Sequence, residues 1–288
     1  MLIAVALVAG LLPLQQLAVE SVEERIGRSD PKTCMDRFLN YPPNPAIANA
    51  YLPSSIVPHP FTPNPEFWLK DVDFSCVSPW NSGGGRLRAG TAISKRHIVF
   101  AKHFPLWKGV RIVFVGDDGG VCPCNIEAVK DIKDSDIMIG SLNAELTPNI
   151  RPAKILPDNY KKYLDYGVEL PIVTFNQHEQ ASLMECGCIS TNRFRKMGCY
   201  NTKRETWKPF WRKLVVGDSG NPAFLLIGKD PILVYCVTHG GGGAGFAVHR
   251  YRREIQAAMD ELCPGYKLEE FDFSQVKMKS EKLRDDKL

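Results

Sequence analysis

Between Thr91 and Val248 the chain is a succession of short apolar runs cut by turn-forming residues, and this limits the folds open to it. Thr91–Ser94 and His97–Ala101 flank Lys95-Arg96, the pattern of a hairpin. Val110–Val115 is rich in β-branched residues and ends at Gly116-Asp117-Asp118-Gly119-Gly120, a strong turn. Ile126–Val129, Ile137–Ile139, Pro171–Phe175 and Leu183–Ile189 read as further strands, with Gly187 at a bulge. Pro222–Ile227 and Ile232–Thr238 pair through Gly228-Lys229-Asp230-Pro231, and Gly245–Val248 closes the series. Many short strands with turn signals between them predict an all-β barrel or sandwich. One helix follows: Tyr251, Ile255, Ala258, Met259 and Leu262 fall on a single helical face.

The 288 residues, 44% of them hydrophobic, suffice for one sizeable core. The formal net charge is only +4 and the basic residues are dispersed, so nothing calls for nucleic acid. No window has the length and purity of a membrane-spanning helix. Leu2 to Val19 is mostly apolar, interrupted by Pro13, Gln15 and Gln16. That length suits a secretory signal ending near Leu17-Ala18, and a secreted or extracytoplasmic protein is expected. No Lys or Arg precedes Arg25, so a mis-assigned start or an N-terminal anchor stays open. From Pro31 to Pro65 prolines are dense, with Tyr41, Tyr51, Phe61, Phe67 and Trp68 among them. Proline blocks helix interiors and central strands, and the aromatics favour an arm that packs over the body, or a propeptide. From Lys267 the chain is charged and is expected to end in disorder. The divisions are therefore an apolar segment 1–19, an arm 20–71, a main domain 72–265 and a charged tail 266–288.

Nine cysteines are an odd number, so at least one has no partner within the chain. Cys122/Cys124 and Cys186/Cys188 are Cys-x-Cys pairs, whereas zinc sites more often use a wider gap. Disulfides fit an exported protein better; no metal and no cofactor is expected.

The chemistry centres on Val216-Gly217-Asp218-Ser219-Gly220-Asn221-Pro222. Glycines on either side of Asp218-Ser219 let the backbone turn tightly and bring amides close to the serine oxygen. A serine hydroxyl needs a base, and the base needs an orienting partner. Upstream lies Gly90-Thr91-Ala92-Ile93-Ser94-Lys95-Arg96-His97-Ile98-Val99-Phe100-Ala101-Lys102-His103, and between the two lies Asp134-Ser135-Asp136-Ile137-Met138-Ile139. These three segments resemble the histidine, aspartate and serine segments of the chymotrypsin-like (trypsin-like) serine peptidases, in the order His, Asp, Ser of that family. The likeness covers roughly residues 72 to 263.

The resemblance implies a chymotrypsin-like double β-barrel with a C-terminal helix packed on the second barrel. It implies a serine endopeptidase acting on peptide or protein substrates, with no nucleic-acid partner. His103 would be the base, Asp136 its orienting partner (Asp134 in reserve) and Ser219 the nucleophile, with the Gly217 and Ser219 amides as the oxyanion hole. In that family the counterpart of Asp218 pairs with a new N-terminal amine after cleavage, and no Ile-Val-Gly-Gly start is visible here. Val237-Thr238-His239-Gly240 resembles the family's substrate-pairing Val-Ser-Trp-Gly, which makes Thr238, His239 and Gly240 candidate substrate-binding residues. Lys213, six positions before Ser219, would stand at the base of the specificity pocket and favour an acidic side chain, or point to solvent. Phe104 occupies the position of the cysteine that bridges beside the family's histidine, so any disulfides are wired differently. The competing functions are an inactive binding protein on the peptidase fold and a zinc-stabilised or disulfide-rich binding module.

Overall fold

A computed structural model of the chain describes residues 20–21, 45–55, 61–78, 88–162, 170–188, 196–200, 210–227, 230–238, 245–273 and 276–277. Two sheets carry the body. The first contains β2 (Thr91–Ala92), β3 (His97–Ala101), β4 (Arg111–Val115), β5 (Val121–Asp131) and β6 (Ile137–Leu142), in the order β2-β3-β6-β5-β4. The second contains β7 (Lys154–Ile155), β8 (Leu170–Phe175), β9 (Ala181–Cys188), β10 (Lys196–Tyr200), β11 (Pro222–Ile227), β12 (Asp230–Cys236) and β13 (Gly245–Phe246). Its order is β13-β10-β9-β8-β11-β12-β7, antiparallel except for the pair β7 and β12. A parallel pair of two-residue strands, β1 (Glu20–Ser21) and β14 (Val276–Lys277), stands apart from both.

Burial explains the two kinds of strand. Every residue of β3, β6 and β11 is buried, so these read as continuous apolar runs. The first half of β5 alternates, with Cys122, Cys124 and Ile126 inward and their neighbours in water, as a strand buried on one face must. This strand is longer than the Ile126–Val129 run suggested, because β4 pairs along its first five residues.

The helix α1 (Arg252–Leu262) follows a 3-10 turn at Val248–Tyr251. It packs chiefly on β5 and β6 of the first sheet, rather than on the second barrel as the resemblance implied, while the preceding 3-10 turn touches β12. Its inward face is Ile255, Ala258 and Met259, and burying the two larger side chains contributes about 1.5–3 kcal/mol each. Glu261 accepts from Lys130 of β5 at 2.7 Å, and the Tyr251 hydroxyl donates to the Asp134 carbonyl at 3.1 Å. The helix therefore holds the turn that leads into β6.

The arm packs as its aromatics suggested. Phe67, Trp68 and Leu69 belong to the main core, Trp68 meets Phe210 at a tilt with ring centroids 4.8 Å apart, and just past the arm Phe74 meets Phe175 edge-on at 5.0 Å. The tail expectation needs correcting over its first part. Ile155 donates to the Glu269 carbonyl, Phe271 donates back to Ile155, and Phe271 and Phe273 are buried. Two aromatics outweigh the surrounding charges there. The cysteines also differ from expectation: Cys76, Cys122, Cys124, Cys236 and Cys263 are free thiols. Cys34 lies outside the described residues, as do the side chains of Cys186, Cys188 and Cys199.

His97 is fully buried, with Nδ1 2.8 Å from Ser94 Oγ and its ring against Tyr266. Burial disfavours the imidazolium and pulls its pKa down to about 4. The unfolded chain then binds the extra proton first as pH falls. The folded state should lose about 3 kcal/mol from this residue between pH 6.5 and 4, and nothing above that window. Urea denaturation across this range, compared between the native chain and His97→Phe, checks it. The native chain should show the steeper loss by close to one proton.

Candidate active site

Strand register brings the histidine to the aspartate. Ala101 at the end of β3 pairs with Ile137 at the start of β6, and Lys102 donates its amide to the Asp136 carbonyl at 2.9 Å. One residue further, the His103 amide donates to Asp136 Oδ1 at 2.8 Å. The ring meets the same carboxylate, with Nδ1 and Oδ2 2.5 Å apart. A carboxylate only accepts, so Nδ1 carries the hydrogen, and in the neutral ring Nε2 is left with its lone pair. That lone pair lies 2.9 Å from Ser219 Oγ, in position to accept the hydroxyl hydrogen. His103 and Asp136 come from the first sheet and Ser219 from the second.

Asp134 does not share this site. It sits in the turn before β6 with φ at +56°, and its side chain is exposed. The period-two rule that would put it on the same side as Asp136 applies only within a strand.

Ser219 is held by a turn with unusual backbone angles. Gly217 and Gly220 have φ of +108° and +90°, a region open to glycine and strained for other residues. A Cβ on Gly220 would stand 3.2 Å from the Ala89 carbonyl, and one on Gly217 would stand 2.8 Å from Gln177 Oε1. The Gly220 amide donates to the Val237 carbonyl and Val237 donates to Asn221, at 2.8 Å each. The turn is thereby stitched to the chain leaving β12.

Asp218 is buried, and both its oxygens are used. Oδ1 accepts from the Gln177 amide at 2.9 Å, and Oδ2 accepts from the Val215 amide at 2.6 Å. The Asp218 amide donates to the Val215 carbonyl at 3.1 Å. The flanking amides of Gly217 and Ser219 donate to nothing among the described residues. Two unspent donors beside a serine hydroxyl are what an oxyanion needs.

Of the substrate-binding candidates, Thr238 is buried just past β12. His239 and Gly240 lie outside the described residues. Lys213 is exposed. Two residues without a sequence signal join the site. Gln177 comes from the polar turn between β8 and β9. Cys236, at the end of β12, has its thiol pushed up to about 12, first by burial and then by the Asp136 charge. Its inward place on an apolar strand was legible; its nearness to Asp136 was not.

No family model matches the chain, and no curated protein does. Among solved structures it is similar to human heparin binding protein, with a TM-score of 0.50 and 13% sequence identity, over 67% of this chain and 94% of that chain. A likeness at that identity concerns the fold alone. The two sheets, their strand order and the helix that follows them make this a chymotrypsin-like fold. Among the described residues no helix is long and apolar enough to cross a membrane, and no cluster of His, Cys, Asp or Glu could hold a metal ion.

The glycine requirement is testable apart from any activity. Gly220→Ala combines φ near +90° with the Ala89 contact, so urea denaturation should show a loss of about 1–2 kcal/mol. An unchanged midpoint would mean that the turn is not held in this conformation.

Proposed function

We propose that the chain is a serine endopeptidase that cleaves peptide bonds through an acyl-enzyme. The observation that carries this reading is the single imidazole bridging Asp136 at 2.5 Å and Ser219 at 2.9 Å. A face that merely bound a partner would have no use for a hydroxyl aligned on a histidine lone pair, or for a carboxylate behind it. The fold alone would leave both readings open.

In this reading Ser219 Oγ attacks the substrate carbonyl carbon while its proton passes to His103 Nε2. Asp136 holds the ring in the tautomer that can receive it and stabilises the imidazolium that results. The carbonyl oxygen becomes an oxyanion, which the Gly217 and Ser219 amides accommodate. His103 returns the proton to the leaving amine as the carbon–nitrogen bond breaks. Water, deprotonated by the same imidazole, then hydrolyses the ester and frees Ser219. No metal or cofactor enters. Export from the cytosol belongs to the same proposal and rests on the apolar residues 2–19.

Hydrolysis of a mixed peptide library by purified protein tests the reading. Ser219→Ala and His103→Ala should each abolish turnover with the thermal midpoint retained. Asp136→Asn should lower kcat by about 10⁴-fold, the loss expected when the histidine tautomer is no longer enforced. Asp134→Asn should stay within about twofold of the native rate. Full turnover in Ser219→Ala would remove the peptidase reading.

A further inference from the structure

The buried Asp218 carboxylate joins two stretches of chain that are far apart in sequence. One is the segment 210–216, through the Val215 amide; the other is the turn 176–180, through the Gln177 amide. The second stretch is closed by its own hydrogen bonds. Asn176 Oδ1 accepts from the His178 and Gln180 amides, and the Asn176 amide donates to the Gln180 carbonyl at 3.1 Å. Gln177 leans from this turn over the nucleophile turn, with Nε2 3.5 Å from the Val216 carbonyl.

The same turn is the landing place of the proline-rich arm. Ala50 donates its amide to the Glu179 carbonyl at 3.0 Å, and Gln180 Nε2 donates to Asn49 Oδ1 at 3.1 Å. The arm segment is itself fastened. Asn64 gives its amide to the Ala50 carbonyl and its Nδ2 to the Asn49 carbonyl, while Trp68 donates to Ile47. The aromatic contacts fall at the two ends of the same circuit. Phe74 meets Phe175, the residue before the turn, and Trp68 meets Phe210, at the head of the segment that reaches Val215. Glu179 seats part-buried beside the arm with its carboxyl pushed up to about 9 by desolvation, hence neutral at neutral pH and free of a charge penalty there.

We infer that the arm is a built-in positioning element for the oxyanion turn: Asn49 and Ala50 brace the turn 176–180, Gln177 holds Asp218, and Asp218 fixes the Gly217 and Ser219 amides. The role in catalysis rests on the peptidase reading above; the bracing itself does not. Both carboxylate oxygens already have main-chain donors from within the chain. A new N-terminal amine is therefore not required, and the site is formed before any cleavage. Residues 49, 50 and 177 act through Asp218 and never touch the substrate.

Two variants of the full chain test this. Asn49→Ala removes the acceptor of Gln180, and Ala50→Pro removes the donor to Glu179. Each should lower kcat about tenfold or more with KM within about twofold, because a loosened oxyanion hole weakens the transition state rather than substrate binding. Asn49→Asp keeps the acceptor oxygen and should restore the rate. Amide hydrogen exchange supplies a readout that needs no activity: protection across residues 214–219 should fall in Asn49→Ala and Ala50→Pro and be kept in Asn49→Asp. A native chain that hydrolyses nothing removes the peptidase reading, and the exchange experiment still decides the bracing. Unchanged exchange across 214–219 in both variants, or an equal loss of rate in Asn49→Asp and Asn49→Ala, would overturn the inference.

Discussion

A buried carboxylate is costly unless hydrogen bonds replace the water it has lost. Asp218 meets this requirement with the amides of Gln177 and Val215, and the geometry of the nucleophile turn follows from it. Its backbone lies between the Gly217 and Ser219 amides, neither of which donates to a described residue. Fixing the side chain therefore fixes the peptide planes on either side. Gly217 and Gly220 make the turn possible by accepting positive φ, but glycine alone would leave it loose. The freedom that glycine supplies is removed again by the carboxylate.

The remaining constraint is that the triad spans two sheets. His103 and Asp136 are held to each other by adjacent strands of the first sheet, an arrangement that antiparallel register makes stiff. Ser219 reaches His103 only because the second sheet packs beside the first. Three pieces of chain outside the two sheets secure that packing. The helix α1 lies on β5 and β6, while the 3-10 turn before it touches β12. The arm inserts Phe67, Trp68 and Leu69 into the common core. Residues 269–271 pair with Ile155 and bring Phe271 and Phe273 under the second sheet. Core burial thus holds a 2.9 Å contact between groups 116 residues apart.

Much of this was legible in the sequence, for local reasons. The strands His97–Ala101 and Pro222–Ile227 are almost wholly apolar and bounded by turn residues, so their limits could be read directly. The one-sided face of α1 was equally plain. What escaped was decided by neighbours. β7 is two residues long and exists because β12 and the chain after the helix flank it. The choice between Asp134 and Asp136 turned on where the strand begins: Asp136, just before β6, meets His103, while Asp134 lies in the preceding turn with positive φ. Gln177 lies in a polar turn with no motif, and its role becomes visible only when Asp218 is seen to need a second donor. The charged composition after Lys267 concealed two phenylalanines that act as anchors.

The central claim is that the serine is activated in the chain as it stands, with its oxyanion turn already formed. Reaction of the unprocessed full-length protein with a fluorophosphonate, followed by peptide mass spectrometry, tests this most directly. The expected result is stoichiometric modification of Ser219 in the intact chain, lost in His103→Ala. Modification that appears only after N-terminal trimming, or none at Ser219 under either condition, would contradict it.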